Sequence, residues 1–216
     1  MSSGRSLAGT LHKMLQDSDL PFRDFMEVAL YYPELGYYAK SASPVGRQGD
    51  FVTSPQISPV FSFVLSLLVS EFVRFQGGGV CTIVDIGCGE GSLIHSLYEG
   101  GTPAQYWGVD RSLDRVRNRD GVKFTTNLAD VPRGDAQLVI CNELFDALPF
   151  ARLVMRDDHL HGLWVTERDG ALDWSEHEAE AKYSDYFAER AIELRGGQFA
   201  DVPRGDRSRG GASRRH

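Results

Sequence analysis

The sequence lacks the features that mark membrane-spanning, metal-binding and general nucleic-acid-binding proteins. Its longest apolar stretch, residues 60–75, is broken by Glu71 and Arg74 and falls short of the roughly 20 apolar residues needed to cross a bilayer. The three cysteines form no Cys-x-x-Cys pair, so we expect small buried side chains and no metal site. A formal net charge of −7 argues against broad nucleic-acid binding.

The N terminus, MSSGRSLAGTLHKMLQ, also lacks the continuous apolar segment of a secretory signal peptide. The composition, 42% hydrophobic and 25% charged, is that of a globular protein, and 216 residues can build a core without disulfides. We therefore expect a globular cytoplasmic chain with no membrane span and no specific nucleic-acid partner.

Hydrophobic periodicity divides the chain into a helical beginning and an alternating α/β region. Helices are predicted over residues 6–16, 21–31 and 56–75. From residue 82 onward, four short apolar runs are typical of strands, namely TIVDIG, AQYWGVD, VKFTT and AQLVICNE, whereas SLIHSLYEG and SLDRVRNRD are predicted helices. This alternation predicts an α/β fold with a parallel sheet covered on both faces.

The C-terminal third has a different pattern. RLVMRDDHLHGLWVTERDGALDW contains β-type runs separated by Asp-Asp-His and Arg-Asp-Gly turns, which predicts an antiparallel hairpin or meander. SDYFAERAIEL is a predicted helix, and the last 14 residues have no large apolar side chain, which predicts disorder.

The stretch VDIGCGEGS places three glycines directly after the first predicted strand of the alternating region. Glycine lets a loop turn tightly and lets the backbone approach a ligand, so Gly87, Gly89 and Gly91 are candidate binding residues. Their spacing differs from the G-x-G-x-x-G of dinucleotide-binding proteins, and no Lys-Ser/Thr pair follows, which excludes a P-loop. Asp85, inside the strand end, suits hydrogen bonds to loop amides or to an ammonium group and suits pyrophosphate poorly.

A second acid, Asp110, ends the second predicted strand, 19 residues beyond Gly91. An acid at that place can accept hydrogen bonds from both ribose hydroxyls of a nucleoside. The glycine loop and this acid together predict a nucleoside-binding site. Their arrangement resembles that of the class I S-adenosylmethionine-dependent methyltransferases. In that class the first-strand acid and the glycines hold the amino-acid end of the cofactor, and the second-strand acid holds the ribose.

The segment after the fourth strand, NELFDALP, lacks the Asp/Asn-Pro-Pro-Tyr/Phe motif of DNA and glutamine N-methylases, which argues against base methylation. Together with FMEVALYYPELGYYAK, GRQGDFVTSPQIS and CNELFDALPFARLV, the glycine motif makes residues 20–200 similar to the MidA family, methyltransferases associated with assembly of mitochondrial respiratory complex I, with many bacterial relatives. One departure is Gln56, where the family usually has glutamate.

The resemblance to the MidA family implies a class I, Rossmann-like sheet that binds S-adenosyl-L-methionine and no metal. By resemblance, Glu143 and Asp146 face the substrate and Asn142 contacts the cofactor. The resemblance also implies that the cofactor pocket is capped by a set of residues from the second N-terminal motif: Gly49, Asp50, Phe51, Thr53, Ser54 and Pro55. The alternative for Glu143 is that it caps the short helix ELFDALP from inside its first turn.

The domain boundaries expected on this basis follow the order of the chain. Residues 1–75 form a helical extension over the cofactor site, 76–150 the cofactor-binding core, 151–200 an inserted hairpin with a helix, and 201–216 a disordered basic tail. Members of the MidA family are considerably longer, so we expect a C-terminally truncated chain with an incomplete sheet.

Two functions are compatible with these observations. The first is methylation of an arginine on a protein partner, such as a subunit of a respiratory complex, in the cytoplasm or, in a eukaryote, in the mitochondrial matrix. The second is cofactor binding without turnover, by a truncated homologue that is an assembly factor or a remnant. An uncovered sheet edge also predicts a homo-oligomer or a poorly stable chain.

Overall fold

The computed structural model describes residues 6–39, 59–77 and 79–203. Two compact units make up the chain. One, the parallel-sheet unit, is Ser41–Ala147; the other, the meander unit, combines Met1–Lys40 with Leu148–His216. The predictions for Gly49, Asp50, Phe51 and Thr53, for Ser54 to Gln56, and for nearly all of the basic tail lie outside the described residues.

The parallel-sheet unit confirms the predicted α/β pattern. Its described helices are α3 (Pro59–Phe75) and α4 (Ser92–Glu99), and its strands are β2 (Cys81–Ile86), β3 (Gln105–Val109), β4 (Val122–Thr125) and β5 (Ala136–Ile140). The strands are all parallel and lie in the order β4-β3-β2-β5. The strand that carries Asp85 is therefore interior, and the chain order reverses beside it, which is where ligands bind in open α/β sheets.

Side chains alternate across the sheet and form a core on each face. On one face Ile83, Tyr106 and Val122 pack with Ile94 and Leu97 of α4, and Val69 of α3 completes this cluster. On the other face Val84, Val109 and Val131 pack together. Strand β2 is buried along almost its whole length, as expected for a central parallel strand.

The helix predicted for SLDRVRNRD is wrong, because residues 111–120 form turns and irregular chain. This segment offers only Leu113 and Val116 as apolar anchors, too few for a short helix to gain from packing. The Ser112 side chain instead makes local hydrogen bonds around Asp114. Buried His95 contacts the carbonyl of Arg117 at 2.9 Å and fixes the irregular path.

The meander unit contains an antiparallel sheet with helices. Its elements are α1 (Leu7–Asp17), β1 (Leu20–Pro21), α2 (Phe22–Tyr31), β6 (Phe150–Arg156), β7 (His159–Arg168), β8 (Ala171–Glu178), α5 (Ala181–Glu189) and β9 (Phe199–Pro203). The predicted hairpin or meander is confirmed as β6, β7 and β8, with turns at Asp157-Asp158 and Asp169-Gly170. Strand β9, which pairs with β6, was not predicted.

The first helices belong with the meander rather than with the helix that precedes the glycine motif. Strand β1 pairs with β7, and its neighbour Asp19 accepts a 2.5 Å hydrogen bond from Ser175 on β8. His12 of α1 contacts Glu167 of β7 at 2.6 Å. The predicted boundaries followed chain order, whereas the meander unit combines two segments that are remote in sequence.

Two further findings concern the cysteines and membranes. Cys81 and Cys88 are buried as expected, but Cys141 is exposed, because it follows the last residue of β5 at the end of the sheet. No helix in the described ranges combines the length and the apolar character that a membrane span requires.

Candidate functional site

The glycine loop joins β2 to α4 in a backbone conformation that favours glycine at three positions. Gly87, Gly89 and Gly91 have φ values of 78°, 56° and 83°, all in the left-handed region. Gly91 is the N-cap of α4. The G-x-G-x-G spacing thus follows from the local backbone geometry.

The three glycines differ in what surrounds them. An added Cβ would lie 2.8 Å from Leu144 Cδ1 at Gly87 and 2.9 Å from the ring of Phe124 at Gly91. At Gly89 it would meet no described atom within 4 Å. Two of the glycines therefore permit close packing within the protein, whereas Gly89 borders open space that a ligand can approach.

Asp110 lies directly beside this loop. Its Oδ2 accepts a 2.8 Å hydrogen bond from the backbone N–H of Gly89. The N–H of Gly87 donates at 2.8 Å to the carbonyl of Val109, the last residue of β3. The two predicted cofactor acids and the glycine loop therefore meet at the carboxyl edge of β2 and β3.

Asp85 is the second acid of the site and is only 2% exposed. Burial raises the pKa of its carboxyl to about 7, and the negative charge of Asp110 acts in the same direction. A cationic ligand group placed beside Asp85 would strongly stabilise the ionised form of its carboxyl, which burial disfavours. Burial likewise raises the pKa of the neighbouring Cys88 thiol, which therefore stays protonated at neutral pH.

The segment after β5 carries the other predicted residues. Asn142 is half-buried, and Glu143 and Asp146 are exposed, the latter in the 3-10 helix Phe145–Ala147. Leu144 packs onto Gly87, so this segment lies beside the glycine loop. Within the described part of the chain, neither Glu143 nor Asp146 has a hydrogen bond or ion pair, and a capping contact by Glu143 is not observed.

Glu143 has φ 50°, a left-handed conformation that costs a non-glycine residue on the order of 1 kcal/mol or more. The observed strain, together with the unpaired carboxylate, makes Glu143 the stronger of the two substrate-facing candidates. No sequence motif predicted this conformation.

Two features of the site were missed in the sequence. Glu90 in the glycine loop forms a 3.2 Å ion pair with Arg117, and the backbone N–H of Arg117 donates to the Glu90 carbonyl. The loop after β4 contains Asn127 and the 52% exposed Leu128 at the same edge of the sheet. The signal for the second feature was its position after a parallel strand, where ligands are commonly bound.

Alanine at Gly89 and at Gly91 is expected to have different effects. Gly91→Ala should destabilise the chain by about 2 kcal/mol, because it combines an unfavourable φ with a clash against Phe124. Gly89→Ala should cost about 1 kcal/mol, since only the backbone conformation is strained. Urea unfolding of the two variants beside wild type measures both values, and a larger loss at Gly89 would contradict this account of the loop.

Comparison with known proteins was made on sequence and on structure. A family model described as an S-adenosyl-L-methionine-dependent methyltransferase matches residues 109–207. The protein arginine methyltransferase NDUFAF7 homolog of Drosophila melanogaster, a mitochondrial protein, is 29% identical over 79% of this chain and 47% of its own. The mitochondrial NDUFAF7 protein arginine methyltransferase of Danio rerio is 28% identical over 63% of this chain and 41% of its own.

A crystal structure of a COG1565 superfamily member from Burkholderia thailandensis, bound to S-adenosyl-homocysteine, superposes with a TM-score of 0.71. It is 24% identical, and the match covers 91% of this chain and 56% of that protein. The predicted class I methyltransferase fold is therefore confirmed. The chain spans about half the length of the curated relatives that it matches.

Proposed function

We propose that this chain, which is similar to the MidA family of S-adenosyl-L-methionine-dependent methyltransferases, binds this cofactor and methylates an arginine side chain of a protein. The observation that carries the proposal is the glycine loop, in which Gly89 is open to a ligand and hydrogen-bonded to Asp110, close to the buried acid Asp85. The arginine substrate is supported by the names of the curated relatives.

The residues present fit the cofactor's chemistry. Asp85 is a buried acid with a raised pKa. The α-ammonium group of the cofactor would supply a positive charge that stabilises the ionised form of this carboxyl. Asp110 is an acceptor for ribose hydroxyls, and Gly89 allows close approach. Asn142 completes the proposed set, and Gly49, Asp50, Phe51 and Thr53 stay predictions.

When bound, the cofactor would supply the methyl group carried by its sulfonium sulfur, and the demethylated cofactor is the neutral thioether that leaves. The task of the protein is then to orient the arginine nitrogen and to receive its proton. A carboxylate can hold a guanidinium through two parallel hydrogen bonds, and Glu143 has a carboxylate without a described partner for this role. Asp146, three residues further along the chain, is the second candidate.

The proposed partner is a protein with an exposed arginine, and the MidA resemblance favours a subunit of a respiratory complex. The named relatives are mitochondrial. The proposed location is therefore the mitochondrial matrix if the chain is eukaryotic, and the cytoplasm if it is bacterial.

Substitution of Asp110 tests the cofactor site. Asp110→Ala is expected to weaken binding of S-adenosyl-homocysteine by about tenfold to a hundredfold, because two ribose donors lose a charged acceptor. Isothermal titration calorimetry measures the affinity. The matched control is Asp120→Ala, an exposed aspartate in the loop after β3. Equal affinities of wild type and Asp110→Ala would place the ribose elsewhere.

Cofactor binding without turnover is the second candidate, because the chain spans only about half the length of its relatives. Transfer of a labelled methyl group to arginine, measured on proteins of a cell lysate, separates the two functions. Cofactor binding with no transferred label would support the second candidate and would contradict our proposal.

A further inference from the structure

Segment 111–120 begins directly after Asp110, the proposed ribose acceptor, and leads from β3 to β4. Two backbone N–H groups hold the carboxylate of Asp110. The N–H of Gly89 donates to its Oδ2 at 2.8 Å, and the N–H of Ser112 donates to its Oδ1 at 3.4 Å. One donor belongs to the glycine loop and the other to the segment. The direction of this carboxylate therefore depends on how the two pieces of chain are held together.

Packing gives the segment little support. A cavity of about 530 Å³ lies along it, and Leu113 and Val116 of the segment line this cavity together with Trp107, Val122 and Phe124 of the sheet. Leu113 and Val116 are half-buried, and the segment contains no other large apolar side chain. A segment with so few buried apolar contacts depends on its polar contacts to keep its place.

Arg117 supplies three such contacts, through its backbone and its side chain. Its N–H donates to the carbonyl of Glu90 at 3.1 Å, and its carbonyl accepts from Nε2 of His95 at 2.9 Å. Its guanidinium lies 3.2 Å from the Glu90 carboxylate. Glu90 directly follows Gly89, and His95, which is buried, lies in α4. We call Arg117, Glu90 and His95 the Arg117 clasp.

The burial of the ion pair is uneven. The side chain of Glu90 is 17% exposed, whereas that of Arg117 is 74% exposed. An ion pair with so exposed a partner contributes little to the stability of a chain. Its effect on the glycine loop is larger, because loss of Arg117 would leave a partly buried carboxylate unpaired, and the loop would shift to bring this charge into water.

We propose that Arg117 is a positioning residue of the cofactor site. Through the clasp it fixes the glycine loop against segment 111–120 and so orients the Asp110 carboxylate for the two ribose hydroxyls. Each oxygen of this carboxylate accepts one backbone N–H and keeps a lone pair for a further donor. A carboxylate that is already oriented loses no freedom when the ligand binds, which raises the affinity. This inference rests on the cofactor binding of the proposed function and is independent of methyl transfer.

Calorimetric titration with S-adenosyl-homocysteine tests the clasp. Arg117→Ala is expected to weaken binding by about tenfold, because the carboxylate must then be ordered by the ligand. Arg117→Lys keeps a positive charge beside Glu90 and should restore the affinity to within about threefold of wild type. Arg119→Ala is the matched control, because Arg119 lies in the same segment and forms an exposed 3.0 Å pair with Glu99 at the end of α4. It should leave the affinity unchanged.

A double-mutant cycle separates positioning from direct contact with the ligand. Glu90→Gln removes the ion pair from its other side and should also weaken binding by about tenfold. The variant with both Glu90→Gln and Arg117→Ala should again lose about tenfold, rather than the roughly hundredfold loss of two independent effects. Additive losses would show that Glu90 acts on the ligand by itself and would overturn the proposal.

Two further measurements distinguish positioning from general destabilisation. The midpoint of urea unfolding of Arg117→Ala should stay near that of wild type, because the ion pair is exposed. Hydrogen exchange of the backbone amides of residues 111–116 should become about tenfold faster in the ligand-free variant. A lowered midpoint with unchanged exchange in this segment would contradict the positioning role.

Failure of this inference is distinguishable from failure of the proposed function. If wild type does not bind S-adenosyl-homocysteine, both are wrong. If wild type binds it and Arg117→Ala binds it equally well, only the positioning role is wrong. A loss that Arg117→Lys does not reverse, or an equal loss in Arg119→Ala, would likewise overturn the role of Arg117 and leave the cofactor site in place.

Discussion

Between about pH 4 and pH 7 the free energy of unfolding of the ligand-free chain is expected to fall by about 4 kcal/mol because of Asp85 alone. The pKa of this carboxyl is raised to about 7 in the folded chain, whereas an aspartate in an unfolded chain has a value near 3.8. In this pH window the folded state holds a proton that the unfolded state has released. The stabilising contribution is therefore complete below pH 4 and is lost as the pH rises through 7.

Asp85→Asn isolates this effect, because amide and protonated carboxyl are similar in size and the amide does not titrate. Urea unfolding of wild type and variant at a series of pH values gives the difference. Carboxyls with a lowered pKa, such as Asp19 and Glu176, act in the opposite direction but are common to both proteins. Asp146→Asn, at an exposed position, is the control. Parallel pH profiles for wild type and Asp85→Asn would contradict the assignment.

The same group has a consequence for ligand binding. An ammonium group beside Asp85 favours the ionised carboxylate, so binding should release a proton and the affinity should rise with pH up to about 7. Calorimetry of S-adenosyl-homocysteine binding in buffers of different ionisation enthalpy measures the released proton. Proton uptake on binding would place the ammonium group away from Asp85.

Glu143→Gln is expected to lower the rate of methyl transfer by about a hundredfold to a thousandfold, while the affinity for S-adenosyl-homocysteine stays within about twofold. The amide keeps the size of the side chain but offers one acceptor oxygen instead of a charged pair, so it neither orients a guanidinium through two bonds nor accepts its proton. The loss should therefore appear in turnover rather than in cofactor binding.

The chain offers a matched control for this variant. Glu34 is also exposed and has a similar left-handed backbone, φ 63°, but lies in the meander unit. Glu34→Gln should leave turnover unchanged, which separates a catalytic carboxylate from a general effect of losing a charge at a strained position. Equal rates for wild type and Glu143→Gln would assign the substrate contact to Asp146 or to another residue.

The strands of the parallel sheet were predictable because a buried strand is a continuous apolar run, which the sequence displays directly. The irregular path of residues 111–120 was not predictable, because their hydrophobic pattern is weak and contacts with His95 and Glu90 determine the path. Strand β9 escaped prediction for a related reason. FADVP has little β-type pattern of its own and is defined by pairing with β6.

The same division applies to the site. Three closely spaced glycines and two acids at strand ends are local features, and the sequence alone determined their place on the sheet and the kind of ligand they suit. Only the tertiary structure decided that Gly89 is the open glycine, that burial raises the pKa of Asp85, and that Glu143 is strained and unpaired. Each of these properties depends on atoms remote in the sequence, because burial, clashes and hydrogen-bond partners exist only once the chain has folded.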